Sequence, residues 1–271
     1  MATTKIRYNQ VKTGLTTGGD SNYASTSLIL NMDGADGSTS FSDESSKSHT
    51  VTATGSAAVS ITESKFGGGS LRLDGSSDYL DIPSHVSFDF GSSDFTIEVW
   101  VRGDNSISQY YPTFIGSNSG GGFATGASFH RFDATASIGG QNLSQKFWFG
   151  LSGVGDPFLI SSNTFAKDTW HHYALCRTGN DWLMFINGVL EASGSSAASF
   201  NMGIQNGVRI GNTGWAPANE NFKGYLDDLR VTKGVARYTS AFSVPTSEHP
   251  SFEGHTGKVI VAGEDGTMEL Q

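Results

Sequence analysis

Side chains that could carry acid–base chemistry are few and widely spaced in this chain. Glycoside hydrolysis on a β-sandwich needs two carboxylates that project from one strand or from facing strands. Residues 95–102 alternate between apolar and polar types, which predicts a strand with one buried side, and Glu98 is the only carboxylate on its polar face. Asp227 and Asp228 are adjacent, so on a strand they point to opposite faces. The sequence therefore predicts no paired-carboxylate catalyst.

Nucleophiles and metal-binding histidines are equally sparse. The single cysteine, Cys176, lies in the predicted strand 170–176, where a small buried apolar residue is expected rather than a reactive thiol. One cysteine excludes an intramolecular disulfide and any zinc motif with several cysteines. His171 and His172 are neighbours on the same strand and therefore face apart, and no His-Glu-x-x-His motif is present. We expect a protein that is not an enzyme.

Calcium is a more plausible ligand, because carboxylate and carbonyl oxygens from loops hold this ion. Six aspartates lie at or near predicted strand ends: Asp33, Asp36, Asp74, Asp78, Asp227 and Asp228. Their spacing is not that of an EF-hand, so distant segments would have to assemble a site. Ordinary turn aspartates produce the same pattern, and both interpretations stay open.

Aromatic side chains in loops rich in glycine and asparagine could stack on sugar rings. The candidates are Tyr110, Tyr111, Trp148 and Trp215, and Trp215 stands out because it lies in the loop 211–217. Packing in the core or at its rim is the other role open to each. These four residues are the predicted glycan-binding set.

The elements that must position these residues are short strands. From residue 28 onward, short apolar runs alternate with turn residues, and Asn187-Gly188 is a strong hairpin signal. Glycine supplies 35 of 271 residues, which disfavours helices, and no stretch of ten residues has a helical period. We predict an all-β fold, a two-sheet antiparallel β-sandwich, with helices of at most one turn.

Composition shifts divide the chain into three parts. Residues 1–27 are polar and lack sustained alternation, so we interpret them as an N-terminal arm or attachment segment. Residues 28–245 form the predicted sandwich. Residues 246–271 read as a linker followed by a C-terminal β-hairpin, which is too small to bury a core and must lie on something else.

Charge and hydropathy exclude several classes of partner. Lys and Arg number 17 against 26 Asp and Glu, which gives a net charge of −9 and argues against binding nucleic acid. No apolar run approaches the roughly 20 residues of a membrane-spanning helix, so membrane insertion is not expected. The first ten residues lack the apolar stretch of a secretory signal.

Several segments, in order, resemble laminin-G-like, concanavalin A-like jelly rolls. They are residues 65–80 (KFGGGSLRLDGSSDYL), 94–101 (DFTIEVWV), 170–175 (WHHYAL) with 185–188 (FING), and 224–231 (GYLDDLRV). The resemblance spans roughly residues 28–245 and implies a two-sheet antiparallel sandwich, often with a structural calcium ion. Carried across, the ion's ligands would be Asp33, the backbone carbonyl of Lys65, and Asp228. Glycoside hydrolases of this fold carry a spaced carboxylate motif that this sequence lacks.

Residues 232–245 are similar to a segment that is common in structural proteins of tailed bacteriophages. We therefore expect a non-enzymatic virion protein, a tail fibre, appendage or capsid decoration that assembles in the host cytoplasm and contacts host-surface polysaccharide. Its terminal segments would contact other virion proteins, and symmetric self-association is expected, with a trimer favoured. The alternative is a free-standing, calcium-dependent, lectin-like glycan-binding module, and a polysaccharide hydrolase ranks third.

Overall fold

Short strands make up almost all regular structure in the computed structural model, which describes residues 19–118, 128–133, 137–138, 140–214, 217–252, 260–262 and 268–270. The strands are β1 (Thr26–Leu30), β2 (Thr52–Thr54), β3 (Ala58–Ser60), β4 (Ser70–Asp74), β5 (Tyr79–Pro83), β6 (Asp89–Gly91), β7 (Phe95–Gly103), β8 (Thr113–Ser117), β9 (Ser128–Phe132), β10 (Ser137–Ile138), β11 (Gln141–Asn142), β12 (Phe147–Leu151), β13 (Gly155–Ile160), β14 (His171–Thr178), β15 (Asp181–Ile186), β16 (Val189–Ser195), β17 (Phe200–Asn201), β18 (Gly207–Ile210), β19 (Lys223–Lys233), β20 (Ile260–Ala262) and β21 (Met268–Leu270). Within these described ranges the helical structure is one four-residue helix, α1 (Pro217–Glu220), and the 3-10 turns Tyr23–Ser25 and Val86–Phe88. The predicted all-β class is confirmed.

Two large antiparallel sheets form the sandwich. The first has the order β16-β15-β14-β7-β19-β4-β3, with β1 also paired to β19. The second has the order β13-β12-β9-β8-β18-β5-β2. Strands β15 and β16 are joined by Asn187-Gly188, both with positive φ, as a type I′ hairpin requires. Strands β20 and β21 pair as a small separate hairpin.

The main core fills the space between the two sheets. Strand β7 contributes Phe95, Ile97, Val99 and Val101 to it, all buried as their period of two predicts. The prediction that β7 has only one buried side is wrong, because Glu98 and Trp100 on its other face are buried as well. Residues 234–252, which we call the closing segment, cover Glu98 on that face, whereas Lys65 and Phe66 pack on Trp100.

Both ends of the described chain take part in this packing. Asp20 is buried, and its backbone N–H donates to the carbonyl of Phe252 at 3.0 Å. Its carboxylate also accepts from Arg230 and Arg237. The described packing thus continues beyond residues 28–245 on both sides. No helix in the described ranges has the length and apolar character needed to cross a bilayer.

Candidate functional site

Glu98 is fully buried on the outer face of the first sheet and fixed on every side. Its Oε1 accepts from Arg230 Nη2 at 2.7 Å and from Arg230 Nε at 2.9 Å, and its Oε2 accepts from Tyr238 Oη at 2.8 Å. Burial alone would raise the pKa of Glu98, but the Arg230 guanidinium holds this pKa well below its usual range. An enclosed carboxylate that is ionised at neutral pH does not serve as a general acid.

The closing segment makes this enclosure. The rings of Tyr238 and Phe242 stack at 3.5 Å and cover a second apolar cluster of Ala174, Cys176 and Phe185. Burial raises the pKa of the Cys176 thiol to about 12, so this cysteine is inert at neutral pH. In an amphipathic strand this face would be exposed to water. Here the closing segment covers it, and it forms a second core that contains an ion pair.

His171 and His172 face apart, as predicted. His171 lies on the inner side against Phe147, and its Nε2 is 2.8 Å from the Ala166 carbonyl. His172 lies on the outer side, with its Nε2 3.3 Å from Glu98 Oε2. They therefore belong to different surroundings and do not act together.

Asp227 and Asp228 point in different directions from an irregularity in β19. The pairing register between β19 and β7 shifts between residues 227 and 230, and Asp228 has φ of 50°. Asp227 Oδ2 accepts from the backbone N–H groups of Lys65 at 2.7 Å and Phe66 at 3.1 Å. Asp228 Oδ1 instead accepts from the backbone N–H of His249 at 2.8 Å. The two carboxylates therefore belong to different sites.

Both carboxylates are harder to ionise than ordinary aspartates. Burial raises the pKa of Asp227 to about 7, against the hydrogen bonds from Phe66 and Lys65. Burial likewise raises the pKa of Asp228 to about 8. Burial also lowers the pKa of His249 to about 3, so this ring beside Asp228 is neutral. Asp227 Oδ1 is buried and has no hydrogen-bond partner.

A glycine lets two further carboxylates meet beside this loop. Asp33 Oδ1 accepts from the N–H groups of Gly68 at 2.9 Å and Gly69 at 3.0 Å. A Cβ atom on Gly67, which has φ of 53°, would meet both Asp33 carboxylate oxygens and Glu248 Oε1 at distances too short for real atoms. Only glycine leaves room for these oxygens to converge.

The predicted calcium ligands are brought together in part. Asp33 and the loop that begins at Lys65 are neighbours, whereas Asp228 points away toward His249, so the structure does not support it as a ligand. Asp227, and not Asp228, faces the loop, because the bulge in β19 turns residue 227 toward it. Among the described residues, no group of three or more His, Cys, Asp or Glu side chains is arranged to hold a metal ion.

The other strand-end aspartates act as turn residues. Asp36 accepts from the N–H of Ile61, and Asp74 accepts from the N–H of Ser76. Asp78 is buried and accepts from the N–H of Ser56 at 2.6 Å. The structure gives these three a structural role, one of the two interpretations that the sequence left open.

The four aromatic residues predicted to stack on sugars differ in how exposed the structure leaves them. Tyr110 is 55% exposed and available to a ligand. Tyr111 is partly buried and packs edge-on against Trp148, whose ring is fully buried with Arg131 Cζ 4.4 Å above it. A sugar cannot stack on a ring without exposed surface, so Trp148 is a packing residue. Trp215 lies outside the described residues.

An ionic cluster that the sequence did not indicate fixes Trp148. Arg131 is buried, and it donates to Asp156 at 2.9 Å and to Glu220 at 3.3 Å. Strand pairing brings these residues together from positions 25 and 89 residues apart, so no local motif marks them. This cluster is a structural support for the outer face of the second sheet.

A polar pocket that the sequence also did not indicate lies at the end of β1. Its volume is about 160 Å³. Its lining residues are Leu30, Asn31, Met32, Asp33, Ser40, Phe41, Ser42 and Glu44. Only Asp33 belonged to the predicted set, since the segment 38–50 carries no recognisable motif.

More than half of the chain matches a known protein family. A family model described as the concanavalin A-like lectin/glucanases superfamily matches residues 74–237. No curated protein sequence matches the chain.

Solved structures share the same architecture. Domain 4 of an extracellular arabinanase from Geobacillus stearothermophilus, solved with arabinotriose, has a TM-score of 0.53 at 18% identity, covering 78% of this chain and 93% of that one. The binding domain of botulinum neurotoxin DC, solved in complex with SialylT, has a TM-score of 0.51 at 13% identity, covering 78% of this chain and 48% of that one. At these identities the likeness concerns the fold alone, and this chain spans about half of the toxin domain.

Proposed function

The chain belongs to the concanavalin A-like lectin/glucanases superfamily, and on that basis we propose that it is a non-enzymatic glycan-binding protein. One observation carries the non-enzymatic part of this proposal. Glu98, the carboxylate that a catalytic strand would offer to substrate, is sealed beneath the closing segment and paired with Arg230. A carboxylate in a buried pair of this kind is not available to protonate a glycosidic oxygen.

Binding rather than hydrolysis is tested on the intact protein. We expect it to be retained on at least one insoluble polysaccharide or glycan in an array, and to release no reducing ends from it. Tyr110→Ala should weaken retention on extended chains, because Tyr110 is an exposed aromatic side chain. Release of reducing ends in proportion to protein concentration would contradict the non-enzymatic proposal.

We further propose that the protein is a component of a tailed-phage virion, where the glycan would be a host-surface polysaccharide. The phage-like segment 232–245 supports this proposal, because it is an integral part of the fold through Tyr238 and Phe242. Quantitative mass spectrometry of purified virions against the major capsid protein tests it. A few copies would indicate a tail fibre or appendage, hundreds would indicate a capsid decoration, and absence would contradict the proposal.

Calcium and self-association complete the proposal. We propose that calcium binds beside the loop 65–69 through the carboxylates of Asp33 and Asp227 and the backbone carbonyl of Lys65, where Asp227 Oδ1 lacks a partner. Bound there, the ion would supply positive charge between the two carboxylates. A trimer is proposed as the assembled form, and sedimentation equilibrium of the full chain would measure it.

A further inference from the structure

We propose that the pocket at the end of β1 binds a single neutral or amino-substituted pyranose ring, which would make it the sugar subsite of the proposed glycan-binding function and rests on that function. The pocket lies between residues 30–33 and residues 40–44. Both segments precede the part of the chain that the family model matches, residues 74–237.

Size is the first argument for one ring. The pocket volume is about 160 Å³. A protein cavity of roughly 150 Å³ accommodates benzene, so this space suits one six-membered ring and excludes two. The extended remainder of a glycan would leave through the open side of the pocket.

The lining matches a ring that is apolar on its face and polar at its edge. Met32 and Phe41 keep a small exposed fraction and supply apolar surface. Around them, four side chains supply polar atoms without using them internally: Asn31, Ser40, Ser42 and Glu44 form no side-chain hydrogen bond or ion pair with the described residues. Ligand sites combine apolar walls with a few convergent polar groups in this way.

Asn31 gives the pocket an unmet hydrogen-bonding requirement. Its Oδ1 is buried and lacks a hydrogen-bond partner. Leaving a buried acceptor unpaired costs on the order of 1–3 kcal/mol, and a hydroxyl or amine of a ligand would supply the missing donor after the Asn31 side chain rotates toward the pocket. The Glu44 carboxylate adds a further acceptor, so the pocket favours a ligand rich in donors.

Charge narrows the ligand class. Asp33 would be neutralised by the proposed calcium ion, so the pocket then carries the Glu44 carboxylate and no basic side chain. Uronates, sialic acids and sulfated sugars would place a negative charge against Glu44, which is unfavourable. Neutral pyranoses and protonated amino sugars remain.

The walls are held in place without the lining side chains. Asp43 Oδ1 accepts from the N–H of Ile29 at 3.0 Å, and Asp43 Oδ2 accepts from the N–H of His49 at 2.8 Å. The N–H of Glu44 donates to the Ile29 carbonyl at 2.9 Å, and Tyr23 Oη donates to the Glu44 carbonyl at 2.8 Å. A pocket fixed before binding loses little entropy when a ligand orders in it.

The test uses the full chain and four variants. Ser42→Tyr fills the pocket and Glu44→Gln removes one acceptor charge. Ser193→Tyr and Asp181→Asn make a matched steric change and a matched charge change on exposed residues of β16 and β15. The probes are methyl glycosides of glucose, galactose and mannose, glucosamine, N-acetylglucosamine and glucuronate, titrated by calorimetry, together with a glycan array.

We expect the wild type to bind at least one neutral or amino sugar, Ser42→Tyr and Glu44→Gln to weaken this binding at least tenfold, and both controls to bind as the wild type does. If the array shows glycan binding that Ser42→Tyr leaves unchanged, the pocket assignment is overturned and the proposed function stands. Tighter binding of glucuronate overturns the ligand class. If the folded wild type binds no glycan at all, the proposed function fails, and the pocket assignment fails with it.

Discussion

At the scale of single residues, Glu98 and its partners test whether this carboxylate is structural. Glu98→Gln removes one of the two carboxylates that pair with the buried Arg230 and leaves only Asp20, so we expect a loss of about 2 kcal/mol in the free energy of unfolding. Urea denaturation at pH 7 measures it. Glu63→Gln is the control, because Glu63 lies 3.4 Å from Arg102 in a partly exposed pair and should cost under about 1 kcal/mol. A Glu98→Gln variant as stable as the wild type would contradict the structural role.

Calcium binding also depends on single carboxylates. We expect millimolar calcium to raise the melting temperature of the wild type by several degrees, because a ligand that binds only the folded state stabilises it. Asp33→Asn should lose this rise, whereas Asp228→Asn should keep it, since Asp228 points toward His249. Differential scanning calorimetry with calcium or with a chelator compares them. If Asp228→Asn, and not Asp33→Asn, lost the calcium-induced rise in melting temperature, Asp228 would be the ligand, as the sequence resemblance implied.

His130 makes stability depend on pH. Burial and the adjacent Arg131 lower the pKa of His130 to about 3, and its Nδ1 lies 2.9 Å from Tyr173 Oη. The unfolded chain, with a histidine pKa near 6.5, binds more protons, so stability is present above pH 6.5 and falls as the pH drops toward 3. We expect this residue alone to cost about 2 kcal/mol between pH 7 and pH 5. Urea denaturation at pH 7 and pH 5 should show a smaller loss of unfolding free energy for His130→Gln than for the wild type. Equal losses in the two proteins would contradict this role of His130.

At the scale of elements, the closing segment decides what is accessible. Replacing both Tyr238 and Phe242 with alanine removes the stacked pair over Cys176, so we expect its reaction with Ellman's reagent to accelerate at least tenfold. Phe252→Ala is the control, because this side chain of the same segment is half exposed. Melting curves would verify that the variant remains folded. An unchanged rate in the folded double variant would mean that the segment does not protect the thiol.

Strands could be predicted from the sequence because their signal is local. Alternation placed residues 95–101 in a strand, and Asn187-Gly188 marked a hairpin that the structure contains. What alternation cannot reveal is a partner that covers a strand from far along the chain. Glu98 and Tyr238 are 140 residues apart, so the second buried face of β7 was not predictable.

The candidate site was less predictable for a related reason. Asp227 rather than Asp228 faces the loop 65–69 because β19 contains a bulge, and strict alternation along a strand does not predict a bulge. The pocket at the end of β1 forms because residues 40–44 fold back over residues 30–33. Asn31 becomes a pocket residue only through that tertiary contact. Residue types indicated the kind of chemistry, whereas its location required the tertiary structure.

At the scale of the whole molecule, the backbone bond between Asp20 and Phe252 places the two ends of the described sandwich side by side. A circular permutant that links residue 252 to residue 20 through a short linker and opens at the exposed turn 153–154 should therefore melt cooperatively, within a few degrees of the parent. Calorimetry would measure this, and loss of the cooperative transition would contradict it. The same adjacency means that the sandwich can be spliced into a surface loop of an unrelated carrier protein as a cassette, since the host chain would enter and leave at nearly one point.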